Sequence, residues 1–226
     1  MADQSASKPH LTLYAYWRTS ATYRVRVALA LKGLAAEERL VDIDGGEHLR
    51  PEFLAINPQG AIPALVVEGH APLTQSLAIL EFLDEQHPEP ALLPADAYGR
   101  ARVRSLAATM ASDTHPLIVP RVRKYLKEAA GFDDAAWRAW QTQWFTRGFT
   151  DIEARLRDDP ATGRFCHGNS LTIADICLAS VEAVARVFRI KVDNIPTVDR
   201  IVAECNRHDP FSRADPLVQV GAPGPV

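Results

Sequence analysis

Hydrophobic and polar positions recur with two different periods along this chain, and the change of period divides it. Leu11-Thr12-Leu13-Tyr14 reads as a short strand. A helix from about 21 to 32 follows, with Val25 and Leu29 four residues apart on one face, Ala28 between them and Gly33 closing it. Glu38–Ile43 alternates polar and apolar residues and predicts a second strand. Strand, helix and strand in quick succession form a βαβ unit, whose two strands run parallel. His48–Ala55 predicts a short helix, and Asn57-Pro58-Gln59-Gly60 a turn. Ala61–Val67 is a third strand with Pro63 near its start, where a residue without an N–H is tolerated; the Ile62–Pro63 bond is a candidate cis peptide. Glu68-Gly69-His70 turns the chain back into Ala71-Pro72-Leu73, giving an antiparallel hairpin. Leu77, Ile79, Leu80, Phe82 and Leu83 then make one face of an amphipathic helix that ends near Pro88.

This order, β-α-β-α-β-β-α, is a thioredoxin-like arrangement over residues 10–88. Glu89–Pro94 reads as a linker, and beyond it the strand period vanishes. Tyr98 to Lys127 carries Val103, Leu106, Ala107, Met110 and Ala111 in one stripe, with a kink or break expected at Pro116 and Pro120. Asp133–Arg157 places Trp137, Trp140, Trp144, Gly148 and Phe149 at intervals of three and four, a core stripe. Thr172 and Asp175 form a variant capping box before an apolar run, Ile176 to Val187, which is apolar nearly all round and so predicts a buried helix. A last helix covers Thr197–Cys205. The fold class expected is α/β followed by all-α, with an all-helical second domain over 94–211. Residues 1–9 and the proline- and glycine-containing stretch 212–226 are expected to be flexible tails.

Composition narrows the functional classes. The 226 residues are 47% hydrophobic and 23% charged, with a formal net charge of −3, so neither nucleic acid nor an acidic membrane is an expected partner. No run reaches the roughly 18 apolar residues of a membrane span, and the polar start Met1–His10 has no apolar core of a signal peptide. Three cysteines, Cys166, Cys177 and Cys205, lack metal-type spacing, so no metal site is expected; an odd number of thiols fits the cytoplasm. With no cysteine in the first half, a protein thiol there is excluded as nucleophile.

Candidate chemistry concentrates between the first strand and the first helix, in Tyr16-Trp17-Arg18-Thr19-Ser20-Ala21-Thr22-Tyr23-Arg24-Val25-Arg26. A hydroxyl at a helix start can be an N-cap. It can equally donate to an anion parked against the free N–H groups of the first turn, where the macrodipole favours negative charge. Local sequence leaves both open for Thr19 and Ser20.

A thioredoxin-like half followed by a helical half resembles the cytosolic glutathione transferases. Asn57-Pro58 followed by Ile62-Pro63 resembles their loop before a cis-proline, Gln75-Ser76 their acid-or-Gln/Ser pair, and Thr172-Ile173-Ala174-Asp175 the capping box of their buried helix. The stretch from Tyr16 to Arg26 resembles the signature of the zeta class, which contains maleylacetoacetate and maleylpyruvate isomerases. It departs from that signature at Thr19, where a serine is usual, and at Ala21, where a cysteine is usual; Val187 stands where the family has an arginine.

The resemblance implies glutathione as cofactor, with Ile62 and Pro63 offering a backbone edge, Gln75 and Ser76 holding the γ-glutamyl carboxylate, His48 reaching toward the glycyl end and His115 near the site. Ser20 or Thr19 would hold the sulfur. A helix end and one charge-assisted hydrogen bond together lower a thiol pKa of about 8.5 by about 2 units. The implied reaction is cis–trans isomerisation of an unsaturated keto diacid by thiolate addition, rotation and elimination, with Arg18, Arg121 and Arg186 as candidates for the carboxylates. The alternatives are a transferase that conjugates or dehalogenates small electrophiles, and a non-catalytic interaction module. The resemblance also implies a homodimer.

Overall fold

The computed structural model describes residues 10–223. Four strands form one mixed sheet in the order β2-β1-β3-β4. Strand β1 (Leu11–Ala15) pairs in parallel with β2 (Glu37–Leu40) and antiparallel with β3 (Ala64–Val67), which pairs antiparallel with β4 (Leu73–Thr74). Helix α1 (Ser20–Leu31) connects the two parallel strands, as the βαβ pattern requires. Helix α3 (Ser76–Gln86) follows β4 and packs against α1.

Several strands and helices are shorter than the pattern suggests, each for a local reason. Strand β2 ends at Leu40 rather than Ile43, because Asp42 closes a turn with Glu47: Glu47 N donates to Asp42 O, and Asp42 N donates to the Glu47 carboxylate, both at 2.8 Å. The helix expected over 48–55 is split into a 3-10 turn (Glu47–Leu49) and α2 (Pro51–Leu54), since Pro51 lacks the N–H to continue the first turn. Strand β3 starts after Pro63, whose bond to Ile62 is cis.

The helical half holds α4 (Ala97–Ala108), a π-helical turn (Thr109–Thr114), a 3-10 turn (His115–Ile118), α5 (Pro120–Ala130), α6 (Asp134–Arg157), α7 (Ile173–Val187), α8 (Pro196–Cys205) and α9 (Asp209–Arg213). The expected break at Pro116 and Pro120 is thus spread over two irregular turns. Helix α7 is the centre of this half: Ile176, Cys177, Leu178, Ala179, Val181 and Ala183 are all buried, and the helix packs on α1, α4 and α8. It starts at Ile173, where the Asp175 carboxylate accepts from Thr172 N at 2.8 Å, Thr172 Oγ1 at 2.7 Å and Cys166 N at 2.7 Å. All three cysteines are buried and unpaired.

The stretch expected to be a flexible C-terminal tail is packed over its described part. Ala214 and Pro216 are buried, Asp215 caps the 3-10 turn Pro216–Val218, and the Gln219 side chain donates to the carbonyls of Arg213 and Asp215. Its order comes from these local turns together with the burial of Ala214 and Pro216 and a bond from Arg186 to Asp215, none of which composition registers. Residues 1–9 and 224–226 lie outside the described residues.

Candidate active site

Two recesses meet at the start of α1. The larger, of about 630 Å³, is lined by Ala21, Arg24, Gln59, Ile62, Pro63, Gln75, Ser76 and Arg121 among others. The smaller, of about 120 Å³, is lined by Tyr16, Arg18, Thr19, Ser20, Asp44, Trp137, Val184 and Phe188 among others. His115 lines both. A third recess of about 700 Å³, beside the 89–94 segment, shares no lining residue with either and holds none of the donors described below.

The hydroxyls at the helix start divide their work. Thr19 is the N-cap: its Oγ1 accepts from Thr22 N at 3.4 Å and lies 2.6 Å from Thr22 Oγ1. Ser20, the first helical residue, accepts from Arg24 Nη2 at 3.2 Å and has no acceptor for its own proton among the described residues. The capping hydroxyl and the hydroxyl with an unspent proton are therefore different residues.

Arg24 is the side chain that sequence reasoning undervalued. It is 2% exposed, and no carboxylate pairs with it among the described residues. Its fork donates to Ser20, to Ser76 Oγ at 2.9 Å and to Ser180 Oγ at 2.9 Å. Ser180 spends its proton on Cys177 O at 2.7 Å; Ser76, like Ser20, retains its own. A buried cation without a counter-charge costs several kcal/mol. Here it leaves an electropositive floor beneath two unspent hydroxyl donors, one at the start of α1 and one at the start of α3. The signal was present in the sequence, since Arg24 follows Ser20 by four residues and so shares its helix face.

The remaining predicted residues sort themselves by position. Neither N–H nor C=O of Ile62 takes part in a ladder or turn hydrogen bond, so this edge is open to an added strand. The turn before it is held by Asn57, which donates to Ala61 O at 2.6 Å and accepts from Gln59 N at 3.1 Å. Gly60 (φ 57°) closes that turn against the 47–49 segment; a Cβ there would lie 3.0 Å from His48 O and 2.9 Å from Leu49 Cδ2. Gln75 has φ 67°, a conformation that costs a non-glycine residue on the order of 1 kcal/mol or more, and its amide reaches Gln59 Oε1 at 3.0 Å. Such strain at the mouth of a recess is a mark of a binding position.

His115 is held neutral: burial, then the charges of Arg24 and Arg121, push its pKa well below 6.5. His48 does not reach either lining; its Nδ1 is buried without a partner, and burial lowers its pKa. Arg121 is exposed, lines the larger recess and has no side-chain partner among the described residues. Arg18 lines the smaller recess with its fork engaged by Asp44, at 2.8 and 2.5 Å. Arg186 corrects the sequence reading: it points away from both recesses, tied to Glu182 at 3.1 Å and Asp215 at 2.7 Å. With Val187 in the family's arginine position, no arginine of α7 lines either recess. Arg123 and Asp44, both lining the smaller recess, were not anticipated.

A mixed four-stranded sheet with a cis-proline before β3, joined to a bundle of helices, defines the glutathione transferase architecture. Residues 9–85 match the family described as glutathione S-transferase, N-terminal domain. A maleylpyruvate isomerase from Ralstonia sp. is 43% identical over 209 residues, 92% of this chain and 98% of that protein. Among solved structures, maleylacetoacetate isomerase from Methylobacterium extorquens AM1, with bound malonate and glutathione, superposes with a TM-score of 0.92 at 46% identity, covering 94% of this chain and all of the other. A maleylpyruvate isomerase described as a bacterial glutathione transferase of the zeta class superposes with a TM-score of 0.90 at 42% identity, over 94% of this chain and all of that one. The chain belongs to the zeta class of the glutathione transferases, the family of these isomerases.

Proposed function

We propose that this protein is a glutathione-dependent cis–trans isomerase of an unsaturated keto diacid, of the maleylacetoacetate or maleylpyruvate kind. The observation that carries it is the pair of unspent hydroxyls, Ser20 and Ser76, set over the buried and uncompensated Arg24.

These residues fit glutathione. The open backbone edge at Ile62, beside Pro63, takes the tripeptide as an added strand. Ser76 and Gln75, at the start of α3, hold its γ-glutamyl carboxylate over Arg24. Ser20 directs its proton to the sulfur at the start of α1, with Thr19 maintaining the helix end. Bound there, glutathione supplies a thiolate that adds to the cis double bond, permits rotation about the resulting single bond, and leaves again.

The chain's own part is electrostatic and steric. Arg24 and the α1 N-terminus favour the ionised sulfur without a protein base. His115, neutral and shared by both recesses, supplies a hydrogen-bonding edge without adding charge. Arg121 and Arg18 serve the carboxylates of the diacid, and Trp137, Val184 and Phe188 wall the smaller recess against water. Residues from 10–88 supply the glutathione half of this site, and residues from 94–211 complete its substrate half.

A homodimer and a cytoplasmic location belong to the same proposal. Three buried unpaired thiols suit a reducing compartment, and light scattering of the purified chain tests the dimer. For the reaction, S-methylglutathione serves as the control, since it keeps both carboxylates but has no free thiol. Turnover of the diacid with glutathione and none with the S-methyl form is expected. Equal turnover with both would overturn the mechanism.

A further inference from the structure

The Arg18 guanidinium faces the recess that holds Ser20, but it is not free to receive a ligand. Asp44, in the loop after β2, grips it with both carboxylate oxygens, at 2.5 and 2.8 Å. The Tyr16 hydroxyl donates to the same carboxylate at 2.7 Å. The rings of Tyr16 and Trp17 flank the guanidinium at 5.6 and 5.7 Å, so Arg18 has contacts besides Asp44.

Both partners of the pair face solvent: the Asp44 side chain is 52% exposed and that of Arg18 25%. Water and salt reach the pair from the Asp44 side, so it is screened there and open to competition by another carboxylate. Asp44 lies inside the turn that Asp42 and Glu47 close with two 2.8 Å hydrogen bonds, so its release is a rotation of its own side chain and needs no movement of the loop. A second cation, Arg123 on α5, lines the same recess.

We propose that Asp44 is a displaceable internal occupant of the Arg18 fork, and that it sets the preference of this site for carboxylate-bearing electrophiles. This rests on the diacid reading of the smaller recess. A ligand carboxylate can replace the Asp44 carboxylate like for like, whereas a neutral electrophile cannot and meets a closed ion pair. Once released, Asp44 shares the recess with Arg123, whose guanidinium is paired with Asp134 at 2.8 Å. The arrangement trades affinity for selectivity: every dianion must first exchange with the resident carboxylate.

The test is Asp44→Asn, which keeps the side chain's size and removes its charge. The KM for the diacid is expected to fall about 5-fold, the upper end for an exposed pair, with little change in kcat. In an Arg18→Gln background the same substitution is expected to leave KM unchanged. An unchanged or raised KM in Asp44→Asn would overturn the proposal, because Asp44 would then be orienting Arg18 for the substrate. So would an equal fall in both backgrounds, which would reflect only the general field of one less negative charge. Titration of the glutathione-loaded protein with malonate separates this from the isomerase reading. Tighter malonate binding in Asp44→Asn without any diacid turnover in the parent would uphold the displaceable carboxylate and remove the isomerase. Unchanged malonate binding with turnover intact would do the reverse.

Discussion

Replacing Ser20 by alanine should raise the pKa of the bound glutathione thiol by about 1–2 units. Ser20 accepts from Arg24 at 3.2 Å and has one proton left to give. A hydrogen bond from that proton to a thiolate is charge-assisted and contributes roughly 1.5–3 kcal/mol; at about 1.36 kcal/mol per unit this is the stated shift. The N-terminus of α1 and the Arg24 charge survive the substitution, so the thiol should remain more acidic than free in solution. Thr19→Ala should behave differently. It removes the N-cap, at a cost of about 1 kcal/mol in stability, and leaves the thiol pKa within a few tenths of a unit. The assay is the ultraviolet absorbance of the thiolate across a pH titration of the glutathione complex, with denaturant unfolding run beside it. A thiol pKa that moves in Thr19→Ala and stays put in Ser20→Ala would refute the division of labour between these two hydroxyls.

Three further outcomes follow from the same geometry. Asp175→Ala removes the acceptor of two buried backbone N–H groups and a buried hydroxyl, so unfolding free energy should fall by about 3 kcal/mol; a loss below about 1 kcal/mol would show that the α7 start does not depend on this carboxylate. His115 has its pKa depressed by burial, so below 6.5 the unfolded chain binds the proton that the folded chain refuses. Stability should therefore be full above pH 6.5 and fall, by up to about 1.4 kcal/mol per unit from this group, as pH drops from 6.5 toward the folded-state pKa; the thermal midpoint of the parent relative to that of His115→Gln should be constant above pH 6.5 and drop through that window. Arg121→Gln should raise the KM for the diacid about 5-fold, while Arg186→Gln should leave KM alone and lower the thermal midpoint by loosening Asp215; a KM effect in Arg186→Gln would bring that arginine back to the substrate.

The elements with a strong period were legible in the sequence. The βαβ unit, the amphipathic α3, the aromatic stripe of α6 and the buried α7 all follow from apolar spacing, and all are present. What escaped are features decided by tertiary contact or by a single side chain. Pro51 splits a helix whose apolar residues Leu49, Phe53 and Leu54 still look helical in spacing. The segment 212–223 is rich in residues that suggest looseness, yet Arg186 of α7 ties down Asp215 across the fold, and Asp215 and Gln219 close local turns within the segment. Of the proposed site, the hydroxyl pair at a helix start and the proline before a strand were legible from local chemistry, while the Gln75-Ser76 pair was singled out only by resemblance to the family. Asp44 and Arg123 act by charge at a distance in sequence, so their roles appear only when the chain is folded; the place of Arg24 on the Ser20 face was legible, but its burial without a carboxylate partner was not. Arg186 shows the reverse error, since adjacency to Val187 in sequence places a side chain about 100° away around the helix.

In the proposed isomerase glutathione is used and returned. The most direct measurement follows, in one vessel, the loss of the cis diacid and the titre of free thiol, with glutathione far below the diacid in concentration, for maleylpyruvate and for maleylacetoacetate in turn. Many turnovers per glutathione with the thiol titre constant is the result expected, and the faster diacid identifies the substrate. Thiol consumed one for one with the diacid, or no turnover of either while glutathione still binds, would contradict the isomerase and leave a conjugating transferase in its place.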